Sequence, residues 1–176
     1  MGNYVAAPAI PCGSKSGPGS YMEHSAKSAD RARPGTGKVI EQVGALCVRR
    51  HSNGNCEVLL ITTRQTGRWT IPKGWPVKGL EPHEVAELEA WEEAGVKGRA
   101  ERRVFGYFTH MKGFEDGRKF PSVVEVHVMK VKRTKKKFPE AGQRKVAWLP
   151  VDKAAAMVSE PDLKSLLDRL PGCEAA

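Results

Sequence analysis

The chain has 176 residues, a formal net charge of +9, 28% charged residues and 40% hydrophobic ones, which suits one compact domain with tails. No apolar run reaches the roughly 18–20 residues that a spanning helix requires, so a soluble protein is expected. The basic excess selects an anionic partner or substrate and leaves nucleic acid, nucleotides, polyphosphates and acidic lipid surfaces open.

Residues 1–37 carry six glycines and four prolines without helical or strand periodicity, a composition that buries too little apolar surface to offset its ordering entropy. They are expected to form a disordered tail. Order is predicted from Lys38, with strands over 39–48 and 57–63 joined by the turn chemistry of Ser52-Asn53-Gly54-Asn55 into a hairpin. A short extended piece at 69–71 runs into Pro72-Lys73-Gly74-Trp75-Pro76, where two prolines and a glycine predict a loop. Pro82 suits a first helical turn. Val85, Leu88 and Trp91, with Ala86, Ala90 and Ala94, make an apolar stripe ending at Gly95. Strands are expected at 103–108, 123–131 and 146–149, with a basic turn between the last two and two short helices after them. Strands on either side of a central helix indicate a mixed layered domain, α/β or α+β by some schemes.

The four cysteines, Cys12, Cys47, Cys56 and Cys173, form no CxxC pair. A zinc ribbon is excluded on spacing, and all four are expected to be reduced thiols in a cytoplasmic protein. The N-terminus has neither the basic start and apolar stretch of a secretory signal nor, with Ala6, a myristoylation signal.

The chemistry concentrates on the central helix. Glu89, Glu92 and Glu93 stand at i, i+3 and i+4 on one face, where like charges repel unless solvated or met by a cation. A wet acidic face is the plain reading. Against it, six glutamates fall between residues 79 and 96 of an otherwise basic chain, directly after a Gly/Pro/Lys loop. Clustered carboxylates of this kind suit Mg²⁺ or Mn²⁺, hard ions that bridge to phosphate oxygens.

Residues 74–96, GWPVKGLEPHEVAELEAWEEAGV, resemble the Nudix box, G-x5-E-x7-R-E-U-x-E-E-x-G-U with U aliphatic. Gly74 matches the opening glycine, Glu89 the glutamate after the arginine, Glu92 and Glu93 the paired glutamates, and Gly95-Val96 the ending. Leu80 and Leu88 stand where the family has its first glutamate and its arginine, side chains that commonly pair. An apolar contact is expected to replace that ion pair, leaving no charge unmatched; the alternative is a catalytically degraded box.

The resemblance implies an α/β/α sandwich with a mixed sheet over residues 38–170, a tail at 171–176, and hydrolysis of a phosphoanhydride by metal-activated water. It makes Glu89, Glu92 and Glu93 the catalytic carboxylates. The same three, with the Gly74 carbonyl, are the implied ligands of Mg²⁺, with Mn²⁺ as an alternative. Residues 42–170 further resemble the diphosphoinositol polyphosphate and diadenosine polyphosphate hydrolases, through 68–74, 93–98, 138–140 and 144–148. Arg64, Arg68, Lys73, Lys78, Arg144 and Lys145 are the candidate phosphate-binding residues, and Arg118 and Lys119 are able to join them. The implied partner is a phosphorylated small molecule. An RNA 5′-pyrophosphohydrolase and a non-catalytic nucleotide- or RNA-binding module are the other readings.

Lys130 to Lys137 hold six basic residues in eight and read as a solvated hairpin tip or an anion-binding rim, without the aromatic interleaving of a nucleic-acid surface. His83 is placed in the first helical turn, His110 in a loop and His127 in a strand, with surface or core roles. Trp75 and Trp148 stack on a base or pack internally. Glu115, Asp116, Glu125 and Glu140 are candidates for a distal metal ligand or base, with Glu140 favoured.

Overall fold

The computed structural model describes residues 39–52, 54–114 and 117–170. The tails at 1–37 and 171–176, Cys12, Cys173, Asn53 of the expected turn, and Glu115 and Asp116 therefore lie outside the described residues. The strands are β1 (Ile40–Arg50), β2 (Cys56–Thr62), β3 (Trp69–Thr70), β4 (Lys73–Gly74), β5 (Val96–Ala100), β6 (Gly106–Gly113), β7 (Lys119–Thr134) and β8 (Val146–Pro150). The helices are α1 (Pro82–Ala94), α2 (Val151–Met157) and α3 (Pro161–Asp168). The expected β1–β2 hairpin is present, in register Val48↔Val58, as are the central helix and the two short helices at the end.

All eight strands belong to one mixed sheet with the path β3-β2-β1-β7-β5, onto which β4 pairs at β1, β6 at β7 and β8 at β2. The β1–β7 pairing is parallel, and the β6–β7 pairing antiparallel. Strand alternation sorts side chains between two layers. Val43, Ala45 and Cys47 pack with Leu59 and Ile61 against Val85, Ala86, Ala90 and Ala94 of α1. Leu46 and Val48 pack with Val58, Leu60, Val124 and Val126 against α2 and α3, through Ala154, Leu163, Leu166 and Leu167. The result is the expected α/β/α sandwich. Each buried Val, Leu or Ile contributes on the order of 1.5–3 kcal/mol relative to an exposed one.

Several local expectations are corrected. Lys73-Gly74 is a two-residue strand, with Val43↔Gly74 and Gly44↔Lys73 as its pairs on β1; the flanking prolines bound it without removing a ladder donor, since neither lies inside it. Val96–Ala100 is a strand that no apolar run announces, held by pairing to Lys130, Val131 and Arg133. The basic run is consequently not a hairpin tip: Lys130–Thr134 continues β7 as an exposed strand end. His110 lies in β6, not in a loop, paired with Ser122. Leu88 and Trp91 are only half-buried, so the core stripe of α1 is carried by valine and alanine. Cys47 is a buried free thiol, whose burial pushes its pKa up to about 12; Cys56 is disulfide-bonded, which corrects the expectation of four reduced thiols. Among the described residues no helix is long and apolar enough to cross a membrane.

Candidate active site

β1 changes partners along its length, and this builds the site. Its C-terminal end pairs with β2 from Val48 onward, while Val43 and Gly44 pair with β4. The Ala45 N–H donates to the Pro72 carbonyl at 2.9 Å, which ties the strap entering β4 to the sheet. β4 thereby lies beside α1. The helix starts at Pro82, and Glu84 Oε2 accepts the Glu81 N–H at 2.9 Å. It stops at Gly95, whose φ of 68° is left-handed, with its N–H bonded to the Trp91 carbonyl at 3.0 Å.

With Val85, Ala86, Ala90 and Ala94 committed to the core, Glu89 and Glu93 meet β4. Gly74 has no side chain at the point where the Glu89 carboxylate lies: a Cβ there would fall on the carboxylate itself. Glu93 is 7% exposed. Its Oε2 accepts the Lys73 backbone N–H at 2.9 Å, and its Oε1 accepts from Arg144 Nη2. Burial pushes its carboxyl above the usual carboxylate range, against the pull of Arg144 and Lys73. Glu92 is half-buried, and its carbonyl accepts the Glu140 N–H at 3.0 Å, which brings the loop before β8 onto the helix.

That loop delivers Glu140 and Arg144. Arg144 Nε donates to Glu140 Oε2 at 2.9 Å, Nη2 lies 2.9 Å from the same oxygen, and Nη1 donates to the Thr62 carbonyl at 3.3 Å. Its side chain is 8% exposed. Arg64 Nη1 reaches Glu140 Oε1 at 3.6 Å. Of the two distal candidates among the described residues, Glu140 joins Glu93 through Arg144, while Glu125 pairs at 2.9 Å with His127, whose ring lies 6.4 Å from that of His83 at the N-terminal end of α1.

A cationic group surrounds this carboxylate pair, and half of it was not read from the sequence. The Lys73 ammonium is driven down to about 8 by burial, with Glu93 opposing and Lys112 and Arg144 adding. Lys112, on β6, is likewise lowered by burial, with Glu93 opposing. His110, two residues earlier on the same face, is lowered to about 4 by burial and by the charges of Lys73 and Lys112; it is therefore neutral at pH 7. Its Nε2 pairs with Gln42 Oε1 at 2.9 Å, an oxygen that also accepts from Ser122 Oγ at 3.2 Å. Arg68 Nη1 lies 3.5 Å from Glu160 Oε1, whose partner oxygen Oε2 is buried with no hydrogen bond. Lys112, His110, Gln42 and Glu160 belong to no motif; only the period-2 alternation of β6, which puts His110 and Lys112 on one face, hints at the first two.

The remaining expected residues are placed less centrally. Lys78 is exposed in the loop before α1, and Arg118 and Lys119 are exposed at the start of β7. Lys145 is exposed while its backbone N–H donates to Thr62 Oγ1 at 3.0 Å. Trp75 is half-buried, and Trp148 lies beneath the Arg49 guanidinium at 4.3 Å. The expected Leu80–Leu88 substitute for an ion pair does not enter the core: Leu80 is 40% exposed and Leu88 half-buried. The charge of Glu93 is met from outside the helix, by Arg144.

The donor set Gly74, Glu89, Glu92 and Glu93 fits a hard divalent ion in kind, since every donor is oxygen, and the space at Gly74 is filled only by a carboxylate. In placement it is not yet a cage: among the described residues no three His, Cys, Asp or Glu side chains stand together as a metal site. A concavity of about 500 Å³ lies elsewhere, at the N-terminal end of α1, lined by Val43, Pro76, Leu80, Val85, Tyr107 and Glu125 among others. Gln42, the partner of His110, also lines it, but Lys73, Glu89, Glu93, Lys112 and Arg144 do not, so the chemistry is located by its charges and not by that hollow.

No protein of curated function matches the chain in sequence. Solved structures share its fold, two of them as follows. The Ap4A hydrolase of C. elegans in a binary complex is 21% identical over 73% of this chain and 93% of its own, with a TM-score of 0.54. A NUDIX hydrolase from Nitrosomonas europaea is 16% identical over 74% and 87%, with a TM-score of 0.55. Residues 40–170 match the family model of the NUDIX domain, and the chain belongs to this family of hydrolases acting on phosphorus-containing acid anhydrides.

Proposed function

We propose that the protein is a Mg²⁺-dependent pyrophosphohydrolase, with Mn²⁺ as an alternative ion, cleaving a phosphoanhydride in a polyanion such as a dinucleoside polyphosphate or a diphosphoinositol polyphosphate. One observation carries this reading. The buried Glu93 carboxylate, at the end of an acidic helix, lies within the electrostatic field of Lys73, Lys112 and Arg144, with Arg64 paired to the neighbouring Glu140. Carboxylates for a divalent ion and cations for phosphates are what an anhydride needs side by side.

A bound ion supplies Lewis-acid polarisation of the anhydride and a water of lowered pKa. Gly74, Glu89, Glu92 and Glu93 would hold it. Lys73 and Lys112, half-buried and therefore fixed, suit non-bridging phosphate oxygens. The neutral His110, anchored by Gln42, offers a hydrogen bond without adding charge. Arg64 and Arg68, exposed at the β2–β3 turn, suit the outer phosphates of a longer chain.

The test is a panel of diadenosine polyphosphates, diphosphoinositol polyphosphates, nucleoside diphosphate sugars and 5′-triphosphate or capped RNA, assayed with Mg²⁺ or Mn²⁺ and read by product mass. Hydrolysis of a small polyphosphate, abolished by Glu93→Gln with the fold intact, is the expected result. Preference for RNA would replace the substrate class. Tight binding without turnover or metal uptake would make the domain a binding module.

A further inference from the structure

We propose that Arg144 is a resident counter-cation for Glu93, a place-holder that a divalent ion must displace from the carboxylate while the guanidinium stays tied to Glu140 and Thr62. The inference rests on the reading of Glu93 as a metal ligand and goes beyond it.

α1 contains no lysine or arginine between Pro82 and Ala94. A carboxylate 7% exposed is costly without an opposite charge. Here the charge arrives from 51 residues away in sequence, on Oε1 of Glu93. Arg144 does not depend on that contact for its own satisfaction. Two of its nitrogens reach Glu140 Oε2 at 2.9 Å and a third donates to the Thr62 carbonyl at 3.3 Å. It remains neutralised and anchored when Glu93 is withdrawn. Glu93 without Arg144 would keep the Lys73 amide as its hydrogen-bond donor among the described residues, with the Lys73 and Lys112 charges acting without a direct ion pair.

A guanidinium and a divalent cation on the same carboxylate oxygen repel each other, more strongly in a site with little water than in bulk. One must move. Glu93 is turned to Arg144 and to the Lys73 amide. The arrangement gives Arg144 a positioning role, holding Glu93 in place before the ion arrives.

Calorimetric titration of the full chain with Mg²⁺ alone and with Mn²⁺ alone tests this without any assay of turnover. Arg144→Gln is expected to bind either ion about tenfold more tightly than wild type, the scale of a close, poorly solvated charge pair, with Arg144→Lys between the two. Equal or weaker binding by Arg144→Gln would overturn the proposal and leave Arg144 as an aid to metal binding. Should Arg144→Gln fail to fold, the wild-type protein still decides. The Arg144 Nη2–H resonance, whose Glu93 partner is the one displaced, is expected to shift on Mg²⁺ addition with the calorimetric midpoint, and an unchanged Nη2–H resonance at saturation would overturn the exchange. Glu93→Gln separates the two levels: if it binds Mg²⁺ as wild type does, the metal reading of Glu93 itself falls.

Discussion

At the scale of single residues, Gly74 and His110 show how a site is specified by what a side chain excludes. Alanine at Gly74 would place its Cβ on the Glu89 carboxylate, so Gly74→Ala must displace either the helix or the glutamate. We expect kcat/KM to fall by about 100-fold, the usual consequence of an ångström-scale misplacement, with a folded circular dichroism spectrum. His110 carries a pH signature. Its folded pKa of about 4 lies below the ordinary 6.5, so between these values the unfolded chain binds more protons than the native one. Stability is complete above about 6.5 and declines as pH falls toward 4. Thermal melts of Arg- and Lys-intact His110→Gln should show a shallower decline over this window than wild type; identical profiles would remove His110 from the acid response.

At the scale of elements, α1 is a helix whose boundaries sequence chemistry defines and whose neighbours finish its function. Pro82 opens it and Gly95 closes it. The left-handed φ of 68° at Gly95 and the Phe138 ring and Lys135 carbonyl crowding its missing Cβ permit no other residue. Gly95→Ala should cost roughly 1–3 kcal/mol, read as a lower midpoint in urea with an unchanged slope. β6 shows the opposite case. Its paired register with β7, Lys112↔Phe120 and His110↔Ser122, is what carries two polar side chains to a carboxylate on α1. A one-residue slip would turn both to the far face.

For the whole molecule, charge is segregated. Six of the twenty acidic residues lie between residues 79 and 96, within a chain of net charge +9, so one acidic segment is set in an otherwise basic chain. Such a field steers and retains polyanions and is screened by salt. Raising ionic strength from about 0.05 to 0.5 M should raise KM several-fold, more for longer polyphosphates, since the Debye length shrinks from over 10 Å to a few ångströms. Lys112→Met should raise KM by about tenfold at low salt, the worth of one charge-assisted contact, and should flatten the salt dependence. A change confined to kcat would place Lys112 outside phosphate binding.

Sequence by itself determined the layered fold, the helix from Pro82 to its stop at Gly95 and the family, because these rest on local signals: period, caps, turn residues and a motif of fixed spacing. It left β4 and β5 unread, since two residues between prolines and five with a central glycine carry little propensity for a strand; the ladders of β1 and β7 decide both. It also took the missing box arginine as a gap to be filled by two leucines. Only the tertiary structure brings Arg144 onto Glu93 across 51 residues, and sets Lys112, His110 and Glu160 around them. A buried charge must be matched in space, and the chain leaves open which distant segment provides the match until the sheet is closed.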